Sequence, residues 1–142
     1  MKHMHDGYEV DDSRQRFDIP RVRRWMLTTY WWKETATVEA VERACANSAM
    51  LIGAYRGDEQ VGCCRIVSDK VRFAWVSDVF VTEAHRGKGL ARAMVRFAVE
   101  HPDMRTIARF LLATKDAHDV YAEIGFAPPP DLEWFMQLRR RK

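Results

Sequence analysis

The chain has 142 residues, 47% hydrophobic and 30% charged, with a net charge of +3. That composition suits one globular domain able to bury roughly two thirds of its unfolded surface without cross-links. No apolar run approaches the ~20 residues of a membrane span, the opening residues "MKHMHDGYEV" lack the apolar core of a signal peptide, and no Cys/His spacing resembles a zinc site.

The cysteines, Cys45, Cys63 and Cys64, are odd in number, and the last two are adjacent in an expected strand, where they point to opposite faces. Reduced thiols in a cytoplasm are the expectation. Much of the basic excess lies in Arg139 to Lys142, "RRRK", read as a solvated tail. Nucleic-acid binding through that run would need an aromatic or helical recognition element, and none accompanies it.

Residues 1–7 are expected to be disordered, ahead of a domain over 8–138 and the basic tail 139–142. "YEVDD" reads as a short first strand. A helix is expected from Ile19 to Trp32, with Asp18 as N-cap and Pro20 in the first turn. "YWWKETAT" interrupts it. Thr37 then caps a second helix through Val38, Val41, Ala44 and Cys45, with Glu39 in its first turn where the helix dipole favours a carboxylate.

Three runs follow, "MLIGAYR", "VGCCRIV" and "VRFAWVSDVFV", separated by the short turns "GDEQ" and "SDK". Turns this short make the strands antiparallel neighbours. After "EAHRGKG" the pattern becomes helical, with Leu90, Met94, Phe97 and Ala98 on one face and Arg92, Arg96 and Glu100 on the other. Pro102 ends that helix. "TIARFLLAT" reads as a buried strand, "DAHDVYAEIGF" as a helix closed by Gly125, and "LEWFMQL" as a last strand. The class is α/β, or α+β: a mixed, mostly antiparallel sheet flanked by helices, in a single domain.

The strand, glycine turn and helix around residues 79–97 carry the chemistry. The first N–H groups of a helix have no intrahelical partner and lie at the positive end of the macrodipole. A glycine-rich turn lets a phosphate approach them, and Arg86 and Lys88 add full charges. The Rossmann fingerprint fails, because Arg92 stands at the third glycine and no acidic residue ends the next strand. The Walker A loop fails as well, because four residues are needed between its glycines and a Lys-Ser/Thr at its end.

Arg86, Gly89 and Ala91 instead match position for position the Arg/Gln-x-x-Gly-x-Gly/Ala motif of the GNAT superfamily of N-acetyltransferases. "VYAEIGF" resembles that family's Tyr-x-x-x-Gly-Phe element, and the resemblance covers about residues 8–138. It implies acetyl-CoA as co-substrate, with no metal. It also implies an acetyl transfer to a primary amine by direct attack in a ternary complex. Implied coenzyme contacts are Val79, Phe80 and Val81 on a bulged strand, then Arg86, Gly87, Lys88, Gly89, Leu90, Ala91 and Arg92, and beyond the next strand Thr114, His118 and Tyr121. An N–H near Val79 would face the thioester oxygen.

Tyr121 is the implied general acid for the departing thiolate, or a residue that only positions the sulfur. The family's frequent acidic base would fall on Trp75, which cannot take a proton. Asp78 remains, either as a partly desolvated base or as the side chain that holds the bulge open, and His118 is a second candidate. Tyr30, Trp31 and Trp32 would stack on or cage the acceptor amine, with Glu34 attracting it, or they pack the helix pair. The acceptor is an amine-bearing small molecule or a peptide, no membrane is involved, and a homodimer is among the implied assemblies. A non-catalytic acyl-CoA-binding module on the same fold is the alternative.

Overall fold

The computed structural model of the chain describes residues 1–140. Six strands run β1 Lys2–His5, β2 Tyr8–Asp11, β3 Met50–Arg56, β4 Glu59–Ser68, β5 Phe73–Val81 and β6 Arg109–Leu111. They form one sheet in chain order, antiparallel throughout except for the parallel pair β5–β6. Four helices flank it: α1 Ile19–Met26, α2 Val38–Ala46, α3 Leu90–Glu100 and α4 His118–Ala122.

The caps are those the local sequence calls for. Asp18 accepts from Arg21 N at 3.0 Å, and Thr37 Oγ1 accepts from Ala40 N at 3.1 Å. Each satisfies one donor that the helix itself leaves unpaired. α1 ends at Met26, short of the expected Trp32, as the Thr28 and Thr29 hydroxyls bond back to the carbonyls of Trp25 and Met26. Residues 27–32 become turns, which carry Tyr30, Trp31 and Trp32 out over the sheet.

Each face of the sheet buries its own apolar layer. On one side Tyr8, Ile52, Ile66 and Val76 pack against Leu90, Met94 and Phe97 of α3 and Tyr121 of α4. On the other, Leu51 and Cys63 pack against Val22 and Met26 of α1 and Val41 and Cys45 of α2. Adjacent Cys63 and Cys64 fall in different layers, as the pleat requires.

Three expectations are corrected. The N-terminal residues are ordered as β1, whose Lys2–His5 pair with Asp11–Tyr8 of β2. The "TIARFLLAT" strand narrows to Arg109–Leu111. "LEWFMQL" forms no strand: Leu132–Trp134 is a 3-10 turn, and Trp134, Met136 and Leu138 are exposed. Its aromatic and apolar residues read as a strand, but it has no ladder partner to satisfy its backbone. Of the basic tail, Arg141 and Lys142 lie outside the described residues.

Candidate active site

β5 is regular up to Ser77 and then inserts a residue. Arg65 pairs with Ser77 and Cys63 with Phe80, so Asp78 and Val79 together oppose Cys64. This is a β-bulge. Asp78 absorbs it with φ +54°, a left-handed conformation uncommon outside glycine but tolerated by aspartate. The insertion shifts the pleat by one, which moves Phe80 to the α1/α2 layer and Val81 to the α3 layer. Without it, both side chains would face the wrong core.

Three residues hold the bulge through Asp78. Arg65 Nε donates to one carboxylate oxygen at 2.8 Å, and Trp32 Nε1 donates to the other at 2.9 Å. The Cys63 thiol donates to the Asp78 carbonyl at 3.2 Å. Arg65 also donates to Ser77 Oγ at 3.2 Å and Ser48 Oγ at 3.3 Å. The Asp78 carboxylate is therefore paired on both oxygens, with its side chain only 10% exposed.

β5 and β6 pair only from Phe73–Trp75 to Arg109–Leu111 and then diverge. A cleft of about 650 Å³ opens between them, walled by Val76–Val79 of β5, by residues 112–117 after β6, by Tyr121, and by Met26 and Thr29–Trp32. Trp75 lines it too, and so does Arg65 from beneath. Tyr121 is buried in the sheet–α3 layer with Phe126 edge-on at 6.1 Å. Burial pushes its phenol up to about 12, so the group stays protonated across the physiological range.

The glycine turn lies beyond the end of β5. A 3-10 turn at Glu83–His85 leads to Arg86, then to Gly87 at φ +76° and Gly89 at φ +78°, the N-cap of α3. Both positive angles explain the glycines. The first helical bond is Ala93 N to Gly89 O at 2.9 Å, so the N–H groups of Leu90, Ala91 and Arg92 have no intrahelical acceptor. A Cβ on Gly89 would stand 3.1 Å from Arg92 Nη2 and 3.3 Å from His5 Nε2. This cradle fits a phosphate group on backbone grounds.

The neighbours of the turn are partly engaged. Arg86 folds back, with Nε donating to the Val81 carbonyl at 2.8 Å and its guanidinium over Phe80. Lys88 and Gly87 are exposed. Leu90 anchors the helix in the core with its side chain, Ala91 is half-buried, and Arg92 is paired to Glu123 at 2.7 Å. Sequence reading missed two supports of this turn: His5 Nε2–H donates to the Lys88 carbonyl at 2.8 Å, and Tyr8 Oη bonds His85 Nδ1 at 2.8 Å. Both come from the N-terminal hairpin and carry no local signal.

The other expected residues divide. Val79 and Thr114 line the cleft, and Thr114 Oγ1 also accepts from Ala117 N at 3.1 Å before α4. Phe80 stacks on Trp25 at 5.2 Å, away from the cleft wall. His118 is exposed at the start of α4 and outside the wall. Tyr30, Trp31 and Trp32 all line it, Trp32 with its indole N–H committed to Asp78. Glu34 sits exposed in the 3-10 turn Lys33–Thr35, outside the wall.

Among the described residues no group of His, Cys, Asp and Glu is placed to hold a metal ion, and no helix is long and apolar enough to cross a membrane. All three cysteines are free and buried, and burial raises their thiols.

A mixed sheet with a bulged fifth strand, a splayed β5–β6 pair and a glycine turn at the α3 N-terminus is the architecture of an acyltransferase fold. The chain belongs to the GNAT family: the acetyltransferase (GNAT) family model matches residues 11–126. A crystal structure from Xanthomonas campestris pv. campestris, described as an acetyltransferase candidate of the GNAT family, shares 32% identity at a TM-score of 0.88, over 96% of both chains. A GNAT-family acetyltransferase of Streptococcus pneumoniae has the same fold at 18% identity and a TM-score of 0.73, over 95% of this chain and 98% of that one. A predicted acetyltransferase of Clostridium acetobutylicum, solved with acetyl-CoA, aligns at 16% identity and a TM-score of 0.63, over 98% of this chain and 96% of that one. A search of curated proteins found no match.

Proposed function

We propose that this protein transfers an acetyl group from acetyl-CoA to an amine by direct attack in a ternary complex. The observation that carries the reading is a cleft walled by a splayed strand edge and a buried phenol, with an anion-receptive helix start following the end of the same strand β5. When bound, acetyl-CoA supplies an activated acyl group as a thioester.

The chain's own groups do the rest. The N–H groups of Leu90, Ala91 and Arg92, with Lys88 beside them, bind the pyrophosphate. Beyond Trp75, β5 has no strand on its β6 side, so its backbone groups pair with an extended pantetheine arm as another strand would. Val79 N–H, freed by the bulge, is the donor for the developing oxyanion. Tyr121 delivers a proton to the departing thiolate, a role open to a phenol that is never ionised beforehand.

Asp78 is the structural member of the set. Its two oxygens already accept from Arg65 and Trp32, so it keeps the bulge rather than taking the amine's proton. Water at the cleft mouth carries that proton away. No covalent acetyl-enzyme is formed, since Cys45, Cys63 and Cys64 are buried with raised thiols and lie outside the cleft wall. Unpaired thiols also fit a reducing cytoplasm.

Two measurements test the reading. Calorimetry should show acetyl-CoA binding, and an amine screen should show thiol release that depends on acceptor. Binding without release for any amine would instead assign an acyl-CoA-binding module. No binding would remove both readings.

A further inference from the structure

Resting on that transfer reading, we propose that the acceptor is a monoamine of low basicity carrying an aromatic body, seated on Trp75 and Trp31. The argument starts from the charges in the cleft. Its wall holds four ionisable charges: Arg65, Asp78, Lys115 and Asp116. Arg65 and Asp78 neutralise each other, and every nitrogen of the Arg65 guanidinium already donates to a neighbour. Lys115 places its ammonium 4.3 Å from the centroid of the Tyr30 ring. That face already holds a cation and offers no second site for one.

Asp116 is then, among the described residues of the wall, the only carboxylate outside an ion pair, and it is exposed beside Lys115. A polyamine or another multiply charged acceptor needs several unpaired carboxylates, and here the cations match them. With Asp78 engaged and Asp116 exposed to solvent, the cleft holds no buried, unpaired base for a strongly basic alkylammonium, whose pKa is about 10.4. An α-amine, at about 7.7–8.0, is already roughly a tenth neutral at pH 7, against well under about a thousandth of that alkylammonium, so it depends far less on such a base.

The apolar part of the wall sets the acceptor's body. Trp75 and Trp31 line the cleft and remain 37% and 54% exposed, an unusual cost for two indoles unless something covers them. Trp75 continues onto its cross-strand partner Val67 and its same-face neighbour Phe73, 38% and 43% exposed. The apolar surface therefore runs outward from the cleft along β4 and β5.

The probes are phenylalaninamide and alaninamide, which share an α-amine and differ by a phenyl ring, with spermidine as the polycation. Binding of each is measured by calorimetry with and without coenzyme A. Phenylalaninamide should bind about tenfold or more tighter than alaninamide, and tighter than spermidine. Trp75→Ala and Trp31→Ala should each erode that ratio severalfold, weakening phenylalaninamide more than alaninamide. A ratio near one, a ratio kept in both variants, or tighter spermidine binding would overturn the proposal. Failure of coenzyme A itself to bind would count against acetyl transfer alone, since the aromatic preference is read in the coenzyme-free titration.

Discussion

Arg65 Nε lies 2.8 Å from the Asp78 carboxylate, and the two side chains are only 16% and 10% exposed. The pair joins β4 to the point where β5 breaks its register, so a buried ion pair stands where the backbone takes a left-handed turn. Breaking one partner of such a pair leaves an uncompensated charge, which costs far more than the pair itself contributes.

That relationship separates two roles for Asp78. Asp78→Ala should destabilise the fold by about 3 kcal/mol, and Asp78→Asn by less, because asparagine still accepts from Trp32. With a holding role, Asp78→Asn lowers the melting temperature and weakens acetyl-CoA binding, while the pH dependence of turnover keeps its shape. A large loss of turnover at unchanged coenzyme affinity, with the acid limb of the profile abolished, would make Asp78 the base instead.

Trp32 provides a second handle on the same carboxylate. Trp32→Phe keeps a ring in the cleft wall and removes the donor to Asp78 Oδ1, a charge-assisted bond of about 2 kcal/mol. Urea denaturation should show that loss. Paired with Asp78→Ala in a double-mutant cycle, the two losses should be non-additive, because each removes the same contact.

At the glycine turn, Gly89→Asp puts a side chain on a residue at φ +78° and a negative charge at the positive end of α3. The backbone strain costs roughly 1–2 kcal/mol of stability. The charge acts on the ligand: acetyl-CoA affinity should fall about 10²-fold or more, beyond what the milder Gly89→Ala produces. Equal effects from both variants would mean that shape alone matters at this position.

Tyr121→Phe preserves the packing against Phe126 and removes the proton. Turnover should fall about 10²-fold with the Michaelis constant for acetyl-CoA little changed. The phenol also predicts an alkaline signature. Its folded value, about 12, is above the ordinary one of 10.0 because burial disfavours the phenolate. Its stabilising contribution is thus complete below pH 10 and is lost as pH rises towards 12. Tyr55, also raised by burial, adds to the same limb. Tyr121→Phe should therefore shrink the alkaline loss of stability without removing it.

Signals written over a few neighbouring residues were legible in the chain itself. Asp18 and Thr37 cap their helices as read, since a cap is decided within three positions. Gly87, Gly89 and the apolar face of α3 follow from φ requirements and a 3.6-residue period. The meander of β3, β4 and β5 follows from its short turns. By itself the sequence determined these elements, their order and the anion-receptive helix start, because each rests on local geometry.

Tertiary structure decided the rest. The state of Asp78 depends on Arg65 in another strand and on Trp32, 46 positions away. The exclusion of Glu34 and the place of Trp75 in the cleft depend on where β5 and β6 part. β1 orders because β2 offers it a ladder and His5 finds the Lys88 carbonyl, while the strand-like "LEWFMQL" has no ladder to join. The physical reason is common to all of them: a hydrogen bond or an ion pair needs a partner at about 3 Å, and only the packed sheet says which distant residue that partner is.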